Sequence, residues 1–246
     1  MNPQAYLDMA DTESAHWWFK ARRKILSAFL EHLNLPPDAS ILEVGCGTGG
    51  NLEMLASYGK LSAVEMDADA LQIANTKTAG IYDIRKGTFP DSIPFHQQFD
   101  LICMFDVLEH IDHDIDTLRA AKTLLKGNGR IILTVPAYQW LWGSHDAFLH
   151  HKRRYSSGQL NNAIEQAGLR AVKLTYFNTL LFPLALAARL KDKLSERKTA
   201  AGTAVPPPIV NSVLYHLFSS ERLLLKKLNM PFGLSLLGIL ETADAR

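Results

Sequence analysis

Four glycines fall within six residues, at Gly45, Gly47, Gly49 and Gly50, directly after the run Ile41-Leu42-Glu43-Val44. Glycine is needed where a Cβ would exclude either the backbone angles or a ligand. A buried strand that breaks into such a turn and then a helix is where an open α/β sheet holds a nucleotide-like cofactor. Glu43 sits inside that strand, and a buried carboxylate must find a partner because an unpaired buried charge is costly. Glu65 lies 20 residues after Gly45. An ionised acid there suits a ribose diol, since it accepts two hydrogen bonds. A second concentration of chemistry runs from Pro136 to Tyr155, with two tryptophans, three histidines and the pair Arg153-Arg154. His145 is the first candidate for a general base, and Asp146 is spaced to orient His150 one helical turn on. Arg153 and Arg154 suit an anionic acceptor. The plainer alternative is a structural loop in which these acids and bases tie the segment to the sheet edge.

The elements that must position these residues follow from periodicity. Residues 14–33 form an amphipathic helix, stopped by Pro36-Pro37-Asp38. Strands are predicted at 40–45, 61–66, 81–85, 99–104 and 129–135, and helices at 49–58, 68–78 and 113–125. Ser156-Ser157 caps a further helix that ends before Gly168, and 169–178 reads as a sixth strand. This alternation implies a parallel sheet covered on both faces. The pattern then breaks. Residues 179–233 contain an apolar stretch from Leu180 to Leu190, a polar Pro-rich linker from Lys191 to Pro208, and a helical run. Leu234 to Leu240 supply the last strand.

The glycine run taken alone also fits the dinucleotide fingerprint, with Gly45, Gly47, Gly50 and Glu65 at the right offsets. Glu43 inside the strand, the extra Gly49 and the later segments Phe99-Asp100-Leu101-Ile102 and Asp106-Val107-Leu108-Glu109-His110 argue against a dehydrogenase. With Leu42 to Gly49 and Val64-Glu65-Met66-Asp67, these segments resemble the class I S-adenosylmethionine-dependent methyltransferases, close to the small-molecule branch. The resemblance covers roughly residues 40 to 178. It implies a Rossmann-like α/β fold with seven strands, mostly parallel, the last antiparallel. The family would turn straight into that strand, so residues 179–233 depart from it as a helical insertion.

The resemblance implies S-adenosylmethionine as cofactor and assigns it residues. Glu65 would take the ribose hydroxyls and Met66 the adenine face. Backbone at Gly45, Gly47 and Gly49 would wrap the methionine portion, with Glu43 toward its ammonium end. The family often places an acid after the third strand to hold the adenine amine; here Thr88 stands there, so its hydroxyl or the Phe89 backbone would substitute. Phe105 would offer a carbonyl to the amino group. The catalytic set is His145, Asp146, His150 and Arg154. Trp17, Trp18 and Arg22 either pack in the core or close over the cofactor. Quinone-pathway O-methyltransferases are similar at Asp106-Val107-Leu108-Glu109-His110 and place a divalent metal there. Because this pentad is widespread in methyltransferases that show no metal dependence, no metal is assigned.

The composition bounds the rest. A chain of 246 residues with 47% hydrophobic and 21% charged residues is ordinary for a globular protein. The expected organisation is a methyltransferase domain of 1–178 plus 234–246, with 1–38 as a helical cap and 179–233 as the insertion. A net charge of +1 provides no field toward nucleic acid, and none is expected as a partner. Two cysteines and no leader-like N-terminus suit the cytoplasm. Leu180 to Leu190 is too short for a membrane span of about 20 residues. The insertion therefore reads as a lid, an oligomer surface compatible with a homodimer, or a peripheral contact with the inner face of a membrane. The expected acceptor is a small or lipid- or glycan-linked molecule, with a soluble aromatic or quinone-like acceptor as runner-up. A non-catalytic S-adenosylmethionine-binding protein and a dehydrogenase are the alternatives of another class.

Overall fold

The computed structural model describes residues 3–187 and 204–243. Two helices, α1 (Pro3–Thr12) and α2 (Trp17–Leu30), precede the sheet. The expected single helix over 14–33 is thus a shorter α2 preceded by a separate helix. The His16 ring accepts the Trp18 N–H at 3.2 Å and caps α2, which separates it from α1. Strands and helices then alternate: β1 (Ser40–Val44), α3 (Leu52–Ala56), β2 (Lys60–Glu65), α4 (Ala68–Lys77), β3 (Asp83–Lys86), β4 (Phe99–Phe105), α5 (Asp114–Thr123), β5 (Leu125–Pro136), α6 (Ser144–Phe148), α7 (Ser157–Gln166) and β6 (Leu169–Phe177). The insertion contributes α8 (Pro208–Leu225), and β7 (Ser235–Thr242) follows it.

The seven strands form one sheet in the order β3-β2-β1-β4-β5-β7-β6, with β7 antiparallel to both neighbours and the remaining pairs parallel. The predicted strand set and the single reversed strand are both present. Strand order reverses between β1 and β4, which puts a switch-point crevice at their carboxyl ends. Alternation along β4 sends Ile102 and Met104 into the core under α5 and α7, and Leu101, Cys103 and Phe105 into the core under α2 and α8. β5 begins at Leu125, earlier than expected, because Lys126-Gly127-Asn128-Gly129 stays extended through a register shift opposite β4.

The insertion leaves and re-enters the sheet at one point. Leu234 N–H donates to the Asn178 carbonyl at 3.4 Å, at the same edge where β5 ends. α8 lies on α2, with Phe218 stacked on Phe177 at 6.1 Å and edge-on to Trp17 at 6.0 Å. Glu221 of α8 is fully buried and accepts the N–H groups of Asn178 and Leu180, each at 2.7 Å. Residues 188–203, which include most of the predicted linker, lie outside the described residues. Among the described residues, no helix is long and apolar enough to cross a membrane.

Replacing Glu221 by Ala strands two buried backbone donors. The expected loss is about 2–5 kcal/mol, seen as a lower urea midpoint with an unchanged slope. Glu221→Gln, which keeps one acceptor, should lose less.

Candidate active site

The glycine turn has the conformation its composition requires. Gly45, Gly47 and Gly49 have φ of 70°, 55° and 84°. A Cβ on Gly45 would lie 2.7 Å from Val107 Cγ2, whereas one on Gly47 would meet nothing within 4 Å. The first glycine therefore serves close packing against the loop after β4, and the second faces open space where a ligand fits. Glu65 fixes this shape from β2. Its carboxylate accepts Gly47 N–H at 2.8 Å on one oxygen and the N–H groups of Met66 and Asp67 at 2.9 Å on the other. Three of about four acceptor positions are thereby taken. Burial raises the Glu65 carboxyl, and these bonds oppose the rise. Met66 is 64% exposed beside it.

Glu43 is buried under the turn. Asn51 Nδ2 donates to its Oε1 at 3.0 Å, and its Oε2 has no hydrogen-bond partner among the described residues. Burial, with Glu13 and Glu65 nearby, pushes the carboxyl up to about 8. Two N-terminal residues that the sequence reading did not single out, Glu13 and Tyr6, lie beside this crevice. Glu13 accepts from the Thr48 hydroxyl at 3.1 Å, pairs with Lys77 and lies against Gly50. Tyr6 is buried, and its hydroxyl is raised by burial and by Glu65, Asp67 and Cys46. Both contacts are long-range, and α1 carries no local motif that would signal them.

The remaining expected cofactor residues divide. Thr88 pairs both backbone groups with Ser92, leaving its hydroxyl for a ligand. The Phe89 and Phe105 rings belong to the core. Phe105 ends β4 next to Asp106, which has φ of 54° and is held by Arg22. Arg22 also bonds Thr134 and lies over the Trp18 ring at 4.7 Å. Trp17 packs against Phe218, so this part of α2 joins the edge to the insertion rather than standing open.

The loop after β5 departs from expectation. Asp146 does not orient His150. α6 ends at Phe148, so the helical spacing fails, and His150 is exposed with φ of 57°. Asp146 is instead fully buried and accepts from His151 Nδ1 at 2.9 Å, Gly143 N–H at 2.8 Å and Arg154 at 2.7 and 3.0 Å. Burial would raise its carboxyl, but the His151 and Arg154 bonds hold it below the usual range. Arg154 is 9% exposed, and its third bond goes to the Ala137 carbonyl at 3.1 Å. Its guanidinium clamps the loop to the end of β5, so it is not free to grip an acceptor. His145 is half-buried on α6.

The pentad after β4 is also rearranged. Asp106 turns to Arg22, whereas Glu109 and His110 meet His151, with potential ligand atoms all within 4.8 Å of one another. Burial raises the Glu109 carboxyl, reinforced by Asp106. Burial and His151 push the His110 imidazole down to about 4.

The profile described as a methyltransferase domain matches residues 15–174. The chain belongs to that family. The methyltransferase is 26% identical over 144 residues to the ubiquinone biosynthesis O-methyltransferase of Actinobacillus pleuropneumoniae, covering 51% of this chain and 62% of that one. It therefore spans less than two thirds of that relative's length. Its fold is similar to the methyltransferase solved with the Haloferax volcanii Trm112 activator (TM-score 0.62, 18% identity, 98% and 94% of the two chains). It is also similar to an S-adenosylmethionine-dependent methyltransferase from Clostridium acetobutylicum (TM-score 0.60, 14% identity, 92% of each chain). The chain thus carries a methyltransferase domain, with a fold like that of an S-adenosylmethionine-dependent enzyme. The crevice fits S-adenosylmethionine: the unpartnered Glu43 oxygen suits an ammonium group, and the space over Gly47 leaves room for it.

Glu43 links stability to pH. A carboxyl whose folded value is raised stabilises the fold while protonated. That contribution is complete below 4.5 and is lost as pH rises through about 8. Resistance of the ligand-free protein to thermal unfolding is expected to fall across this window, and Glu43→Gln to flatten the slope. An identical slope in the variant would assign the dependence to another group.

Proposed function

We propose that the enzyme transfers the methyl group of S-adenosylmethionine to a small, lipid-linked acceptor by in-line displacement. The donor supplies a methyl carbon already activated by its sulfonium. The chain's task is then to align nucleophile, carbon and sulfur and to exclude water. In this reading Glu65 orients the ribose diol, and Glu43 takes the ammonium. Backbone at Gly45, Gly47 and Gly49 wraps the methionine portion, with the Phe105 carbonyl toward the amino group. Met66 lies on the adenine, and Thr88 with the Phe89 backbone takes its amine. Residues 1–178 and 234–246 form the catalytic unit, with 1–38 as its cap. Of the insertion 179–233, the described residues 179–187 and 204–233 cover the acceptor side. His145 is the proposed base, and Asp146 and Arg154 support the loop that carries it.

The observation that carries the acceptor class is an aromatic wall at the ends of β5 and β6. Tyr138 stacks on Tyr176 at 5.1 Å, and Phe182 meets Tyr138, Trp140 and Phe232 within 6.3 Å. Its neighbour α8 supports the lipid. Ile209, Val213, Leu217 and Leu224 recur at helical spacing and stay exposed, with Lys226, Lys227 and the exposed Leu228 just past the helix end. An apolar face flanked by lysines suits an anionic lipid surface. The same wall favours a second reading, O-methylation of a soluble aromatic or quinone-like acceptor, as the name of the Actinobacillus relative suggests.

Tritiated S-adenosylmethionine with a polyprenylated phenol and the same phenol without its tail separates the two readings. Preference for the tailed acceptor by 10-fold or more in kcat/KM, with co-sedimentation on anionic vesicles, is expected. Equal turnover of both acceptors and no vesicle binding would favour the soluble one. His145→Ala with unchanged turnover and cofactor affinity would remove His145 as base.

A further inference from the structure

We propose that Asn211, on the insertion, is a positioning residue for the donor crevice: it fixes the bend between α1 and α2 and so holds Glu13 against the glycine turn. This role rests on the crevice being the S-adenosylmethionine site proposed above, and it gives the insertion a hold on donor binding.

Asn211 lies in the first turn of α8. Its Nδ2 donates to the Ala15 carbonyl at 3.0 Å, and its Oδ1 accepts Trp17 N–H at 2.8 Å. These partners are 196 and 194 residues away in sequence. Trp17 opens α2, so its N–H has no partner within the helix. A carboxamide meets both groups at once, whereas a carboxylate could take only the N–H. α8 itself is placed by other contacts. Phe218 packs on Trp17 and Phe177, and Glu221 accepts from the start of the insertion. Its first turn is therefore a fixed post to which the bend is tied.

The bend passes this restraint to Glu13. Ala15 and His16 N–H both donate to the Thr12 carbonyl, at 3.0 and 2.8 Å, which sets the direction of α1 from the point that Asn211 holds. Arg23 of α2 donates to the Glu13 carbonyl at 2.7 Å. The Glu13 side chain then reaches the turn. It is 4% exposed, accepts the Thr48 hydroxyl at 3.1 Å and pairs with Lys77 at the end of α4. A Cβ at Gly50 would run into its carboxylate. Glu13 thus backs Thr48 to Gly50, directly after Gly47, whose N–H Glu65 holds from the other side. A bend without Asn211 leaves Glu13 and this turn to be ordered when the donor binds, and that ordering is subtracted from affinity.

The test uses the full chain and S-adenosylhomocysteine, titrated by calorimetry. Asn211→Ala should weaken binding about 3–10-fold, the worth of one or two hydrogen bonds. Glu13→Gln should weaken it by a similar factor. The double variant should bind no worse than the weaker single one, because both act on one chain of contacts. Asn229→Ala removes a different bond of the insertion, from Lys173 Nζ at 2.9 Å, and should bind as the unmutated chain does. Hydrogen exchange on the ligand-free chain reads the same link without the donor. Asn211→Ala should speed exchange over residues 45–52 by about 3-fold or more, while Ile25–Leu30 and Phe218–Leu225 stay protected. Asn211→Asp, which keeps the bond to Trp17 alone, should fall between Asn211→Ala and the unmutated chain in both measurements. Unchanged exchange at the turn, equal loosening of the α2–α8 core, additive losses in the double variant or the same loss in Asn229→Ala overturns the proposal. A turn whose exchange responds in a chain that binds no S-adenosylhomocysteine supports the link and overturns the donor reading instead.

Discussion

The carboxylate of Glu65 is the contact on which the rest of the cofactor edge depends. It sits at the end of β2, yet its bonds reach across to Gly47 of the turn after β1 and forward to Met66 and Asp67. Charge-assisted bonds to backbone N–H groups are roughly twice as strong as neutral ones. Here they force two neighbouring strand ends to share one anion. The same peptide units pass the constraint on, because Asp67 then caps α4 by accepting from Asp69 and Ala70 N–H at 3.0 Å. A ligand diol must join an acceptor set already shaped by the backbone. The crevice is therefore organised before anything enters it.

A second chain of contacts joins this edge to the insertion. Arg22 of α2 reaches the ends of β4 and β5 through Asp106 and Thr134. The opposite side of α2 packs α8, whose Phe218 stacks on Phe177 at the end of β6. Glu221 fixes the backbone where β6 becomes insertion, and Leu234 bonds back to Asn178 where the chain returns. The insertion thus grows from the functional edge of the sheet, and α2 is the element common to both. Moving α8 would disturb the packing beneath Arg22, and through it the turn that carries Glu109.

What was legible in the sequence was what the chain encodes locally. The glycine spacing, Glu43 and Glu65 are separated by fixed offsets along strands whose pairing is parallel and in register, so their juxtaposition follows from the pattern. The strand set was legible because the central strands are short apolar runs, buried on both faces and bounded by turn residues. The loop after β5 was not. Its helix is only five residues long, and the i,i+4 rule that paired Asp146 with His150 needs a helix that continues. Once the helix ends at Phe148, a left-handed residue at His150 exchanges one histidine for the next. Arg154 was legible as a cation, but its partner, a carboxylate eight residues earlier folded back on it, was not. Tyr6 and Glu13 were invisible for the same reason: their role lies in long-range contacts with the turn, and nothing in α1 announces it.

The distribution of unpartnered buried carboxyl groups explains how such an edge persists. Buried polar atoms are nearly always paired in folded proteins, and exceptions call for a cause. Glu43 and Glu109 both leave carboxylate oxygens without partners. Both lie at the switch-point edge, one on β1 under the glycine turn and one just past β4. Neither is needed to fill the apolar layers, which close around Leu, Ile and Phe side chains on either face of the sheet. Leaving a buried acceptor unmade costs about 1–3 kcal/mol, and more when it is charged. At Glu43 that cost is borne where the ammonium of the proposed donor would relieve it. Relief of this kind appears as affinity, because a ligand that binds only the folded chain stabilises it by mass action. The two orphaned acids are thus a destabilisation confined to the working edge, convertible at Glu43 into tighter and more specific occupancy.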